Sequence, residues 1–268
     1  MKLRILCDNN TYIDQYFLGE PAFSCYIEAE DARVLLDVGY SDVFLRNAEK
    51  MGIDLSALTH VVLSHGHNDH TGGLTPFIEE KVAPAAKLIA HEDCFVGKYY
   101  GEEYIGAPYD VEQILYLADC QLTAEPVAIT ENLWYLGEIP RKLDFEPRTV
   151  IGKRERMGAW EEDDLLDDTA LAYRTEKGLF IITGCAHSGI CNIIEQAKAV
   201  CGDDRIIGVL GGFHLFEDDD RAAATAEYFA RHNIPDLYPC HCVSLKVKHR
   251  FMETLNIHEV GVGMELEI

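Results

Sequence analysis

At 268 residues, 48% apolar and 26% charged, the chain has the makeup of a globular protein with a sizeable core. Its 46 acidic side chains against 23 basic ones leave a formal charge of −23, a field that repels phosphate backbones and anionic lipid surfaces; nucleic acid and membrane are therefore excluded as partners and a small molecule is expected instead. No apolar run is long enough to span a bilayer, the first one breaks at Asp8, too early for a signal-peptide core, and the nine cysteines form no regular framework, so a reducing cytoplasm is the expected location.

Apolar runs over 3–7, 22–28, 32–36 and 61–64, separated by turn pairs such as Glu30-Asp31 and Gly39-Tyr40, read as strands. Between the third and fourth, residues 42–51 carry Val43, Leu45 and Ala48 at helical spacing, and Gly52 supplies the stop. Another strand is expected over 86–90, ending at His91. The stretch 92–160 changes texture: it is rich in Tyr, Gly, Pro and acidic residues with little periodicity, and reads either as an insertion or lid over a scaffold or as an irregular structural segment. Further strands are expected over 178–183 and 206–210, and helices over 192–200, 220–231 and 244–255. Strands in both halves with helices between them predict an α/β protein, layers of sheet covered by helices, and no repeat or linker divides residues 1–268 into more than one domain. The sequence carries no signal for oligomeric state.

Chemistry concentrates in Ser64-His65-Gly66-His67-Asn68-Asp69-His70-Thr71-Gly72-Gly73, directly after an apolar strand. Two histidines one residue apart on a tight turn can aim their imidazoles at one ion. The adjacent Asp69 and His70 can reach a second ion or orient a water at the first. A lone histidine is more often structural, but this pattern reads as metal binding. No nucleophile elbow, Walker loop or dinucleotide fingerprint is present, so serine hydrolase, P-loop NTPase and nicotinamide oxidoreductase readings lack support.

The turn resembles that of the metallo-β-lactamase superfamily. Leu136 to Arg141 with Phe145-Glu146, Asp168 to Leu171, Thr183-Gly184-Cys185-Ala186-His187-Ser188-Gly189-Ile190, Gly211-Gly212-Phe213-His214-Leu215 and Pro239-Cys240-His241-Cys242 are similar to the branch of dihydropterin-ribofuranosylaminobenzene phosphate synthase-like proteins. The resemblance implies an αββα sandwich with two zinc ions, iron or manganese being alternatives, held by His65, His67, Asp69 and His70, a later bridging residue and two later histidines. The familiar Gly-Asp is replaced here by Gly184-Cys185, no His-Thr-x-Gly turn precedes 178–183, and Val243-Ser244 stands where the branch tends to carry Thr-Gly. Thiolate ligates zinc well, so Cys185 takes the bridging place or is a buried thiol, His187 supplies an imidazole, and His241 falls at the last ligand. Cys240 and Cys242 read as core.

The implied function is hydrolysis of a small, phosphorylated or cyclic substrate, with Asp69 and His214 as catalytic groups and His91, Arg141 and Asp168 as candidates on the substrate side. Each has a plainer alternative: His214 and His91 as structural histidines, Arg141 as the ion partner of Glu146, and Asp168 as part of an acidic solvated loop over 161–168. Lys246, Lys248 and Arg250 face either an anionic substrate or solvent. Rival functions are a dihydropterin-type condensing synthase, in which the metal activates a diphosphate leaving group, and a metal-binding sensor with little turnover. The di-iron redox branch is disfavoured, because His67 stands where a glutamate is usual there.

Overall fold

The computed structural model describes residues 1–156 and 158–268. They fall into two compact units, Met1–Ala124 with Val150–Asp167 and Gly261–Ile268, and Glu125–Thr149 with Asp168–Val260. Among these residues no helix is long and apolar enough to cross a membrane.

The first unit is built on a seven-stranded sheet in the order Glu265–Glu267, Lys2–Cys7, Ser24–Ala29, Ala32–Leu36, His60–Val62, Lys87–Ala90, Asp119–Leu122. Its first three joints are antiparallel and its last three parallel. Parallel neighbours need crossovers. Helix Val43–Met51 makes one, and the short helices Asn68–Thr71 and Leu74–Glu79 make the next. The histidine-rich turn opens that second crossover at the carboxyl end of a parallel strand, where open α/β sheets place their ligands.

Helix Val43–Met51 buries Ala48 as expected, with Phe44 and Asn47 beside it, while the expected Val43 and Leu45 are partly buried at the margin of the same core. Asn47 is satisfied there, donating to the carbonyls of Leu6 and Leu18 at 2.8 Å each. Gly52 ends the helix as expected, in the left-handed region at φ 69°, with its amide reaching back to the Ala48 and Glu49 carbonyls. Phe44, Leu74 and Phe77 pack against Leu6, Leu35, Val61 and Leu88 of the sheet, each fully buried side chain of this size contributing roughly 1.5–3 kcal/mol.

Residues 92–160 contribute to both units. They supply the edge strand Asp119–Leu122, and most of a separate four-stranded antiparallel sheet in the order Ala159–Glu162, Lys153–Arg156, Lys98–Tyr100, Glu103–Tyr104. Residues 125–149 belong to the second unit. One face of the small sheet is aromatic and exposed, with Tyr99 in edge contact with both Tyr104 and Trp160. Lys98 and Arg154 point the other way and are buried.

The second unit holds a six-stranded sheet in the order Leu237–Pro239, Ile206–Gly211, Gly178–Thr183, Ala170–Thr175, Leu133–Tyr135, Val127–Ala128, parallel among the first three strands and antiparallel thereafter. Helices Ile190–Cys201, Asp220–Arg231 and Leu245–Met252 stand close to where the sequence predicts them. The last two start on side-chain caps: Asp219 accepts from Ala222 N and Ser244 accepts from Val247 N. Ile181, Val209, Ile193, Ile194, Phe213, Phe229 and Phe251 form this unit's own core.

Candidate metal centre

Strand His60–Val62 runs out through Leu63 and Ser64 into His65, Gly66 and His67, and helix Asn68–Thr71 begins on the next residue. The three histidines are buried. His65 Nε2 and His67 Nδ1 lie 3.0 Å apart, the His65 and His70 ring centroids are separated by 4.3 Å, and His65, His67 and Asp69 each offer a donor atom within 4.8 Å of the others. Burial drives the His67 pKa down to about 4 against the opposing pull of Asp69, so that ring is neutral at pH 7, the form in which an imidazole ligates.

The turn is held from behind by Asp37, a residue that the sequence reading missed. Fully buried, it accepts from the Ser64 amide and hydroxyl at 2.7 Å each and pairs with His70 Nδ1 at 2.7 Å. The Ser64 hydroxyl lies 3.0 Å from His65 Nδ1. Asp37 thus orients two of the imidazoles through the nitrogens that face away from the donor cluster, the usual task of a carboxylate behind metal-ligating histidines. Its signal in the sequence was an aspartate closing an apolar strand just before Val38-Gly39. Gly66 accepts no side chain, because a Cβ there would collide with the Cys94 carbonyl.

In the second unit, Cys185 and His187 follow Gly178–Thr183, His214 follows Ile206–Gly211 and His241 follows Leu237–Pro239, so they gather at the carboxyl ends of the three parallel strands. Cys185 and His187 are buried, and His214 and His241 are half-buried. The His187 and His214 ring centroids lie 4.3 Å apart. Ala186, His214 and His241 take φ of 57°, 48° and 49°, a region costly for residues with a Cβ and concentrated at functional sites. Two loops are tied by one thiol: Cys242 Sγ accepts from the His214 amide at 3.3 Å and donates to the Cys185 carbonyl at 3.5 Å. Cys240 is fully buried, in line with a core role, while Cys242 is half-buried.

Asp168 is fully buried and accepts from Ser188 N at 2.8 Å, so it braces the segment that carries Cys185 and His187. His91 is buried and caps the turn Glu92–Phe95, its Nδ1 accepting from Asp93 N at 3.0 Å. Arg141 stands in a loop held to helix Ile190–Cys201 by Glu146, whose two oxygens accept from Cys191 N and Asn192 N at 2.9 and 2.8 Å. In the basic run near the C-terminus, Lys246 pairs with Glu217 and Arg250 with Asp218 in solvent.

Residues 19–201 match the family model of the metallo-β-lactamase superfamily. The chain belongs to that superfamily. It is 34% identical to an uncharacterized protein of Methanocaldococcus jannaschii, over 97% of this chain and 98% of that one. It is 29% identical to the 7,8-dihydropterin-6-methyl-4-(β-D-ribofuranosyl)-aminobenzene-5'-phosphate synthase of the same organism, over 94% and 91%. A solved structure described as a metal-dependent hydrolase of the β-lactamase superfamily superposes with a TM-score of 0.85 at 32% identity, over 100% and 99%. The expected α/β metallo-β-lactamase fold and its synthase-like branch are thus both found. Superfamily members hold divalent metals, and the residues of the first unit fit one: two buried imidazoles and a half-buried carboxylate bring donor atoms within 4.8 Å of one another, with a supporting carboxylate behind the turn.

Proposed function

We propose that the protein is a metal-dependent hydrolase acting on a small phosphorylated or cyclic substrate. The observation that carries the reading is the convergence of buried His65 and His67 with half-buried Asp69, supported by the chain-long likeness to a structure described as a metal-dependent hydrolase. A divalent ion there would polarise a substrate oxygen and make water a nucleophile at neutral pH. The donor chemistry suits zinc, and also iron or manganese. His65, His67, Asp69 and His70 are the ligands proposed from the first unit, two ions being the superfamily's usual complement. Cys185, His187 and His241 are proposed as later ligands on the superfamily's order of ligands alone.

Asp69 also orients the attacking water in this reading, and His214 hands a proton to the leaving group. Half-buried at a strand end beside His187, His214 is open enough to exchange protons and packed enough to hold its ring. Arg141 is proposed on the substrate side, facing an anionic group, and His91 with it, while fully buried Asp168 is proposed to act through the segment it braces.

A second reading is condensation of the kind for which the dihydropterin relative is named, favoured by 29% identity along nearly the whole chain. The test is turnover of bis(p-nitrophenyl) phosphate and p-nitrophenyl acetate, and in parallel condensation of a dihydropterin diphosphate with an aminobenzene ribotide, by protein loaded with zinc, manganese or iron, beside His67→Ala. Metal-dependent release of nitrophenol that is lost in the variant supports the hydrolase. Formation of the relative's named product without ester cleavage moves the chain to the synthases. Bound metal with neither activity contradicts both and leaves a metal-binding sensor.

A further inference from the structure

Behind the histidine turn lies a buried charge pair whose partners come from distant parts of the chain. Lys98, on the small sheet, is fully buried, and its ammonium donates to Asp163 Oδ2 at 2.8 Å and to Asp167 Oδ1 at 3.0 Å. Both carboxylates are also fully buried. The second oxygen of Asp167 accepts from Gly66 N at 2.7 Å, and Gly66 is the residue between His65 and His67. One carboxylate therefore joins a buried ammonium to the peptide on which two candidate ligands turn.

The same strand makes other connections to the turn. The Lys98 carbonyl accepts from Ile105 N at 3.0 Å, and the Ile105 carbonyl accepts from Asn68 N at 2.8 Å, one residue past His67. A Cβ on Gly66 would also press on Lys98 Cε, so the lysine stem forms part of the wall against which the turn is laid. Arg154, nearly buried, closes the far side through Glu161 at 2.8 Å and Asp164 at 3.4 Å.

Energetics argue that this arrangement serves geometry. A buried ion pair often stabilises a fold no better than apolar side chains of the same volume would, because desolvating both charges offsets their attraction. What the pair supplies is a short charge-assisted hydrogen bond of defined direction, which an apolar residue does not. Burial opposes charge on Lys98, yet Asp167 and Asp163 raise its pKa well above the ordinary lysine value, so the cation persists. Burial also opposes charge on Asp167, and Lys98 with the Gly66 amide still holds it below the usual carboxylate range.

We propose that Lys98 and Asp167 are positioning residues for the metal turn: the ammonium fixes the Asp167 carboxylate, and the carboxylate fixes the Gly66 peptide so that His65 and His67 present their nitrogens to one ion. Resting on the reading that these histidines hold a metal, it adds that the small sheet exists in part to deliver a cation behind them. Neither residue touches the ion or the substrate.

The test is titration of metal-free protein with Co²⁺, followed by its visible absorption and by competition with a chromophoric chelator. Wild type, His67→Ala, Lys98→Met, Lys98→Arg, Asp167→Ala and the double variant Lys98→Met/Asp167→Ala are compared. Lys198→Met, which removes another nearly buried ammonium from helix Ile190–Cys201, is the control. Lys98→Met and Asp167→Ala each weaken Co²⁺ binding about 10- to 100-fold and alter the visible bands, as loss of a group supporting the ligands does. The double variant is no weaker than the worse single one, because the two act as one unit. Lys98→Arg recovers part of the affinity, and Lys198→Met lowers the melting temperature while binding as wild type does. If Lys98→Met and Asp167→Ala lower only the melting temperature and keep wild-type affinity and spectrum, the pair is structural and the inference is overturned. Should Lys98→Met fail to fold, Asp167→Ala and Lys98→Arg decide it by the same readout. No Co²⁺ bound by wild type sinks the metal reading itself, a result separate from any difference among the variants.

Discussion

The two units of the chain arrange their candidate ligands in opposite ways. In the first, His65, His67, Asp69 and His70 lie within six residues on one turn, and the remainder of the unit supplies support: Asp37 behind two rings and Asp167 behind the peptide. In the second, Cys185, His187, His214 and His241 come from three strand ends spread over more than fifty residues, and each loop carries a non-glycine residue at positive φ. A contiguous turn gains its geometry from hydrogen bonds to its backbone. Dispersed residues gain it from the register of a parallel sheet and from local backbone strain.

That contrast is most exposed at Asp37. Asp37→Ala removes the acceptor of two hydrogen bonds and the partner of His70 in a fully buried place. The expected loss is about 3–5 kcal/mol of stability, together with about 10- to 100-fold in metal affinity, read by urea unfolding and by chelator competition. An unchanged affinity in the folded variant would mean that the turn holds itself. Gly66→Ala comes next: with the Cys94 carbonyl in the way the turn has to shift, at a cost of about 1–3 kcal/mol, and metal content falls with it.

Cys185→Ser sharpens the other side of the comparison. If the thiolate is a ligand, metal content drops while the melting temperature of the metal-free protein moves little; a buried core thiol gives the reverse pattern. The smallest effect is expected at Glu146. Its pKa is raised by burial against its bonds to Cys191 and Asn192, so between the ordinary carboxylate value and its native one the unfolded chain releases this proton first, and stability falls as pH rises. Glu146→Gln removes that slope and weakens the helix cap, costing about 1 kcal/mol, both visible in urea midpoints measured across mildly acidic pH.

The same contrast accounts for what could be read beforehand. The turn from His65 to Gly73 declared itself because its spacing is local, and helix Val43–Met51 did so through its periodicity and Gly52. The acidic stretch over 161–168, for which a solvated loop was one reading, instead buries Asp163, Asp164, Asp167 and Asp168. Arg154 stands only ten residues before Asp164, but the cation that neutralises Asp163 and Asp167, Lys98, comes from a strand more than sixty residues away and leaves no local signal. Asp37 lies between these cases: an aspartate at a strand end is a local signal, but its partners Ser64 and His70 stand about thirty residues away. The second unit's candidates were proposed from family resemblance together with their places at the ends of apolar strands, since no local spacing joins them.

The metal centre is tested most directly by metal content, measured by mass spectrometry on protein purified without added metal, for wild type and His67→Ala side by side. About two equivalents of zinc, iron or manganese are expected in the wild type, with a clear reduction in the folded variant. A well-folded wild type that carries no metal and takes none up would contradict the metal reading.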